Sequence, residues 1–284
     1  SGLTTREMST EQAAQMLSGA PGAIVKVGVV SRGVGQTQTE TREVTFAAIA
    51  PAHIVVTKIG QDIAYIRIPA LDAGKSDELR AKLVELDHEG VRKVILDVRG
   101  CALGDDSEGI SAAKLFLASG KIGSLRGQTV SKQEFDADPS KVVWKNPVVM
   151  LTSGATSGPA EILAGAIGGN KRGEVVGERT FGSASQQKLI QLDDGAAVNI
   201  TVGYYYTPGD KAIPEEGVTP TVDVPTTADD PVVYSHAENP PMTPGDPKND
   251  PVLAKALELL NGAQKAAERQ ILLRRVFSHL PIVT

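Results

Sequence analysis

Apolar runs of strand length alternate with helical stretches through the middle of this 284-residue chain. The runs Val94–Val98 and Val148–Thr152 are almost continuously apolar, as expected of strands in a parallel sheet that is covered on both faces. Ahead of the first run, Leu79, Leu83 and Leu86 follow the i, i+4, i+7 spacing of a helix with one buried face. This alternation predicts an α/β (α+β) fold.

Acidic residues open two of the predicted helices. Ser76 is expected to cap the first helix, since its side-chain oxygen can accept from the first-turn amides. The group Asp105-Asp106 with Glu108 precedes a second helix, predicted over Gly109–Ala118. Binding of a cation by this group is an alternative, but negative charge at a helix N-terminus is favoured by the helix dipole and explains it more simply.

The first fifty residues predict a helix followed by a hairpin. Ser9–Leu17 has a helical pattern, Ala23–Val30 and Thr41–Ala47 have strand patterns, and Gly33–Gln38 is a turn between the strands. This order resembles the second half of a PDZ domain. An ordinary helix and hairpin leading into the next domain is the alternative.

The C-terminal part predicts a linker and then a helix. Thr226–Pro251 is rich in Pro, Asp and Thr, and Pro251–Leu280 has a helical pattern. Its apolar rows, formed by Leu253, Leu257 and Leu260 and by Ile271, Leu272, Leu273 and Val276, are expected to pack on the same domain. A homo-oligomer contact through this helix is the alternative. The predicted domains are residues 1–50, 51–228 and 229–284.

Composition excludes several classes of function. The net charge is −5, which does not favour nucleic acid as a partner. The single cysteine, Cys101, excludes an intrachain disulfide, and no apolar run reaches the roughly 18–20 residues of a membrane span. The four histidines are scattered, so we expect neither a metal site nor another cofactor. We expect no signal segment within the first residues given, because Ser1–Arg6 lacks an apolar run.

A strand, a small-residue turn and a helix occupy residues 147–187, an arrangement that holds the nucleophile in many hydrolases. This segment resembles the catalytic region of the tail-specific, or C-terminal processing, serine proteases. Seven matching segments follow the family order along the chain: Ile63–Ile68, Val94–Arg99, Pro147–Leu151, Ala160–Ile167, Val176–Gly182, Tyr205–Pro208 and Gly217–Val224. The resemblance implies a core of the ClpP/crotonase type and a serine-type peptidase activity.

The family's catalytic positions hold other residues here. Counted from Ala160-Glu161, the family serine falls on Gly158, and counted from Thr180-Phe181-Gly182, the family lysine falls on Ser183. The separation of 25 positions between Gly158 and Ser183 agrees with the family spacing. Glycine has no nucleophile, and serine cannot replace a lysine base, whose pKa must be lowered by burial before it can accept a proton.

Supporting positions are partly retained. The family glutamine falls on Gln187, which is present. The family's oxyanion-hole loop falls on Arg99–Gly104, where Gly100, Cys101 and Gly104 stand and most of the family residues are replaced. We therefore predict a pseudoprotease that binds an extended peptide or protein tail. The resemblance also implies an extracytoplasmic location.

Two alternatives keep an enzymatic function. The first is a serine endopeptidase with a relocated nucleophile, Ser157 or Ser183, and a nearby base, Lys188 or Lys171. The second uses the thiol of Cys101, which we do not favour because no histidine motif lies near it.

Overall fold

The computed structural model describes residues 4, 8, 10–33, 36–47, 53–192, 197–225 and 244–262. The chain divides into two compact units, Ser1–Pro51 and Ala52–Thr284. The first unit contains helix α1 (Thr10–Met16) and an antiparallel hairpin of β1 (Ile24–Gly33) and β2 (Gln36–Thr45). The order of helix and hairpin agrees with the sequence pattern, and its PDZ-like character stays a prediction.

The second unit is built on a six-stranded sheet in the order β12-β9-β8-β5-β4-β3. Its strands are β3 (Val55–Ile59), β4 (Ile63–Arg67), β5 (Lys93–Asp97), β8 (Val148–Thr152), β9 (Glu174–Gly177) and β12 (Val222–Asp223). All neighbouring strands are parallel except β3, which is antiparallel to β4. Every residue of β4, β5 and β8 is buried, which explains their apolar runs and confirms the α/β fold.

Helices cover both faces of this sheet. One apolar core contains side chains of α2 (Lys75–His88), α3 (Asp106–Lys114) and α4 (Pro159–Gly169). A second core lies on the other face, where residues 251–262 form helix α5. Its side chains Val252, Leu253, Ala256 and Leu260 are buried with residues of the sheet. The first C-terminal apolar row therefore packs on its own domain, as predicted, and residues 271–276 lie outside the described residues.

A smaller sheet lies beside the central one, with the order β10-β11-β6-β7. Its strands are antiparallel: β6 (Lys121–Arg126), β7 (Gln133–Asp136), β10 (Ser185–Gln191) and β11 (Ala197–Tyr206). A short 3₁₀ helix, Pro139–Lys141, leads towards β8. Strand β10 stands at the edge of this sheet.

The start of α2 differs from the expectation based on Ser76. The N-cap is Gly74, whose φ of 85° suits glycine, and Ser76 lies inside the helix. The carboxylate of Glu108 in α3 accepts the Gly74 N–H at 2.9 Å and the Ser76 N–H at 2.7 Å. The prediction of a Ser76 cap was wrong because a neighbouring helix supplies the acceptor. Among the described residues, no helix is long and apolar enough to cross a membrane.

Candidate functional site

Three loops meet where neighbouring parallel strands end. They follow β5, β8 and β9, which are adjacent in the sheet. In open parallel sheets, ligands bind at this carboxyl edge of the strands. The loops are residues 98–105, 153–158 and 178–184, and most of the site residues expected from the sequence lie on them.

The Glu161 carboxylate holds two of these loops together. The side chain is fully buried in the first turn of α4. It accepts hydrogen bonds from four backbone amides, those of Gly158, Gly182, Ser183 and Ala184, at 3.0, 2.6, 2.8 and 3.1 Å. The Thr180 hydroxyl donates a fifth hydrogen bond at 2.5 Å. A buried carboxylate is costly without such partners, so these five donors are what makes the arrangement stable.

Gly158 and Ser183 lie next to each other as a result. A single oxygen, Glu161 Oε2, accepts the N–H groups of both residues. Gly158 has φ 58° and ψ −122°, on a sharp turn between β8 and α4. Turns of this kind hold the nucleophile in many hydrolases. A Cβ atom added at Gly158 would have no heavy atom within 4 Å other than those of the adjacent residues, so the position has space for a Cβ atom.

The hydroxyls of Ser157 and Ser183 form a pair in the space beside Gly158. Their Oγ atoms are 2.5 Å apart, and both side chains are partly exposed. A general base works best when its pKa is near the working pH, which a serine hydroxyl does not meet. Among the described residues, no hydrogen bond joins either hydroxyl to a lysine or a histidine.

The two candidate lysines are placed elsewhere. Lys171 follows the C-terminal end of α4, whereas Ser157 precedes its first turn, and an 11-residue helix spans roughly 16 Å. Lys171 lines an open hollow of about 750 Å³ at the amino ends of β8 and β9, together with Lys145 and Arg172. Lys188 is exposed on β10, opposite Ile200 of β11.

The Gln187 side chain forms hydrogen bonds with residues other than Ser157 and Ser183. Its amide donates to Ser185 Oγ at 3.0 Å and to Thr201 Oγ1 at 2.7 Å. Both partners belong to the β10–β11 hairpin, and a bulge separates Gln187 from Gln186 in the register. A role for Gln187 in catalysis stays a prediction.

The loop after β5 contacts the serine turn through its backbone. The Gly100 N–H donates to Ser153 Oγ at 3.2 Å, and the Cys101 carbonyl accepts the Ser157 N–H at 2.9 Å. Burial raises the pKa of the Cys101 thiol to about 12, so a thiolate is scarce at neutral pH. Gly104 lies further along, where a Cβ atom would stand 2.2 Å from the Leu71 carbonyl oxygen.

Buried charged side chains lie at the end of β5, where this loop begins. Asp97, at the end of β5, is fully buried between the guanidinium groups of Arg67 and Arg99 and accepts from the Tyr65 hydroxyl at 2.5 Å. Burial alone would raise the pKa of Asp97, but the charges of Arg99 and Arg67 outweigh it and lower the pKa below its ordinary value. Burial beside Asp97 raises the pKa of Tyr65.

Two important residues were not singled out from the sequence. The sequence shows Glu161 only as part of a matching motif, and four of its five donors come from residues 180–184, about twenty residues later. Asp250, which contacts Arg99, lies in a stretch interpreted as a linker. Neither leaves a local pattern that predicts its partner. Among the described residues, no group of three or more His, Cys, Asp or Glu side chains is arranged to hold a metal ion.

Known proteins resemble this chain in sequence and in structure. The carboxyl-terminal-processing protease of Synechocystis sp. is 32% identical over 221 residues, which are 77% of this chain and 52% of that protein. Carboxyl-terminal-processing peptidase 2, chloroplastic, of Arabidopsis thaliana is 31% identical over 227 residues, 78% of this chain and 44% of that protein. The chain thus spans about half the length of the curated relatives it matches.

A solved structure, the photosystem II D1 C-terminal processing protease, superposes with a TM-score of 0.65 at 26% identity. The match covers 79% of this chain and 61% of that one. The family model of Peptidase family S41 matches residues 62–224, which include all three loops of the site. That match covers more than half of the chain, and the protein belongs to peptidase family S41.

Proposed function

We propose that this protein binds an extended peptide or protein tail at the serine pair without cleaving it. The observation that carries the proposal is the Glu161 arrangement, which keeps Gly158 and Ser183 in place although neither supplies a nucleophile with a base. A hydrogen-bonded scaffold beside two partly exposed serine side chains supports retained binding. The names of the relatives, which process carboxyl termini, favour a C-terminal tail as the ligand.

The edge strand β10 supports an extended conformation of the ligand. It begins at Ser185, two residues after Ser183, and stands at the edge of its sheet. An extended peptide can add to such an edge by backbone hydrogen bonds. An extracytoplasmic location belongs to the same proposal by analogy with the family. A homo-oligomer formed through the C-terminal helix predicted over Pro251–Leu280 belongs to it from the sequence pattern.

A binding experiment with a cleavage readout tests this function. Fluorescently labelled peptides with free C-termini are titrated with the protein, and the same samples are examined by mass spectrometry after incubation. We expect saturable binding and intact peptide. Ser183→Trp places a bulky side chain at the serine pair and should abolish binding, whereas Glu85→Trp, on an exposed position of α2, should leave it unchanged. Equal binding by the unaltered protein and the Ser183→Trp protein would refute the proposal.

An active serine endopeptidase is the second candidate. The position of the Ser157 hydroxyl favours it, because this partly exposed hydroxyl lies just before the N-terminus of α4 and would become a nucleophile once a base removed its proton. Cleaved peptide in the mass spectra of the unaltered protein, lost on Ser157→Ala, would support this candidate over the first.

A further inference from the structure

A buried ion pair joins the C-terminal segment to the loop beside Ser157. Arg99, the first residue of the loop 99–104, is fully buried. Its guanidinium donates to Asp250 Oδ1 at 3.0 Å and to Asp250 Oδ2 at 2.8 Å, although the two residues are 151 positions apart. Such two-point contacts are the strongest and most directional form of an arginine–carboxylate pair.

The same carboxylate begins helix α5. Asp250 is only 3% exposed, and its Oδ1 also accepts the Leu253 N–H at 2.9 Å. This is the contact of an N-cap residue, which supplies an acceptor to the first turn of a helix. Asp250 therefore fixes the start of a helix whose apolar side chains Val252, Leu253, Ala256 and Leu260 are buried against the far face of the sheet.

Asp250 also balances the buried charge. Arg67 and Arg99 both contact Asp97, so the two guanidinium groups share one carboxylate at the end of β5. Asp250 supplies the second negative charge, to Arg99. Removing one partner of a buried ion pair is strongly destabilising because the remaining charge is left uncompensated. Without Asp250, Arg99 is expected to move towards water and to carry its loop with it.

Hydrogen bonds connect the loop that follows Arg99 to the turn at the site. Two residues after Arg99, the Cys101 carbonyl accepts the Ser157 N–H at 2.9 Å, and between them the Gly100 N–H donates to Ser153 Oγ. Ser153, which accepts, and Ser157, which donates, both belong to the turn 153–157. Asp250 itself lies outside residues 62–224, the part of the chain that the family model matches.

We propose that Asp250 is a positioning residue that holds the loop 99–104 against the turn 153–157, so that the C-terminal helix sets the shape of the site through Arg99. The inference concerns the loop itself and does not depend on whether the site at Ser157 and Ser183 binds or cleaves a peptide.

The chain contains its own reporters for a test. Cys101 is the single cysteine and is buried in the loop, and Trp144 is the single tryptophan and is buried in the main core. The rate at which a small thiol reagent labels Cys101 measures opening of the loop, and Trp144 fluorescence in urea measures global unfolding. Labelling rates are divided by the rate for the unfolded chain.

The test compares two variants of the full chain. Asp250→Asn removes the charge but keeps a good N-cap, whereas Leu253→Ala weakens the packing of α5 and leaves the ion pair. We expect Asp250→Asn to raise Cys101 labelling at least ~10-fold without urea, with little dependence on low urea concentrations, because the opening is local. Leu253→Ala should change labelling only as far as it changes global stability.

The proposal is overturned if both variants raise labelling in proportion to their loss of global stability, since Asp250 would then act only on the fold. It is also overturned if Asp250→Asn leaves labelling unchanged. Should Asp250→Asn fail to fold, Asp250→Glu, which keeps the charge but displaces it, is measured by the same criteria, and local opening of the loop is again the expected result.

Discussion

Glu161 fixes the geometry of the candidate site more than any other side chain described. It lies in α4, and its carboxylate accepts amides from the loop after β9, so one residue sets the distance between Gly158 and Ser183. The Thr180 hydroxyl, which donates to Glu161, accepts the Val218 N–H at 2.7 Å. The carboxylate is thus the centre of a hydrogen-bond network that links α4 to two later segments.

Glu161→Gln is expected to destabilise the protein. The variant loses the negative charge, and its amide group presents donors to backbone amides that are also donors. Buried donors without an acceptor and lost bonds to a charged group together should cost about 3 kcal/mol in the free energy of unfolding. Urea unfolding followed by Trp144 fluorescence measures it. The matched control is Glu85→Gln on the exposed face of α2, where we expect a change within about 0.5 kcal/mol. Similar values for the two variants would contradict the role assigned to Glu161.

For single residues, the sequence predicts which positions form the site better than it predicts which side chains contact each other. Gly158 and Ser183 were located by counting from motifs, and the structure places them side by side. The hydroxyl contact between Ser157 and Ser183 depends on how two loops approach each other, which residue spacing does not encode. The bond from Asp250 to Arg99 crosses 151 residues and leaves no local signal.

Among the elements, the apolar strands were the most predictable and the short polar ones the least. Strands β4, β5 and β8 are buried throughout, and their apolar runs are visible in the sequence. Strands β6 and β7 have the sequences KIGSLR and QEFD, which lack a clear alternation. Strand β6 pairs with β11, which is distant in sequence, and β7 pairs with β6. The Glu108 cap of α2 likewise requires that α3 lie next to α2.

The start of α2 carries a pH-dependent contact. The Glu78 carboxylate accepts the Lys75 ammonium at 2.6 Å and the Ile54 N–H at 2.9 Å. Burial alone would raise the pKa of Glu78, but the hydrogen bonds from Lys75 and Ile54 outweigh it and lower the pKa below its ordinary value. Its ionised form therefore stabilises the fold above the unfolded pKa of about 4.3, and this contribution is lost as the pH falls through the folded-state pKa.

Glu78→Gln should accordingly destabilise the protein at neutral pH and less so in acid. Because the Glu78 side chain is partly exposed, solvent screening limits the expected loss to about 0.5–1 kcal/mol at neutral pH. Urea unfolding of the unaltered protein and the variant at pH 7 and near pH 3 gives the difference at each pH. A difference that stays constant or grows in acid would show that the charge of Glu78 does not contribute.

On the scale of the whole molecule, the chain belongs to peptidase family S41, and Gly158 and Ser183 stand where the resemblance expects the family serine and lysine. The buried apolar side chains that the structure describes begin at Ile54, so the core that supports the site belongs to the second unit. The sequence predicted this α/β core and its family, because seven matching segments lie in order along it. The sequence also predicted that the apolar residues of α5 pack on the same domain. It did not predict the Asp250–Arg99 ion pair, which links the start of α5 to the site.

Restoring the two family residues tests directly whether the scaffold is intact and only the chemistry is absent. An added Cβ atom at Gly158 would have no heavy atom within 4 Å other than those of the adjacent residues. Gly158→Ser therefore has mainly a backbone cost of about 1–3 kcal/mol at the positive φ, and Ser183→Lys supplies the base. We predict that the double variant cleaves an unstructured peptide at least ~100-fold faster than the unaltered protein, and that neither single variant does. Cleavage by the unaltered protein at a rate equal to that of the double variant, abolished by Ser157→Ala, would contradict this prediction.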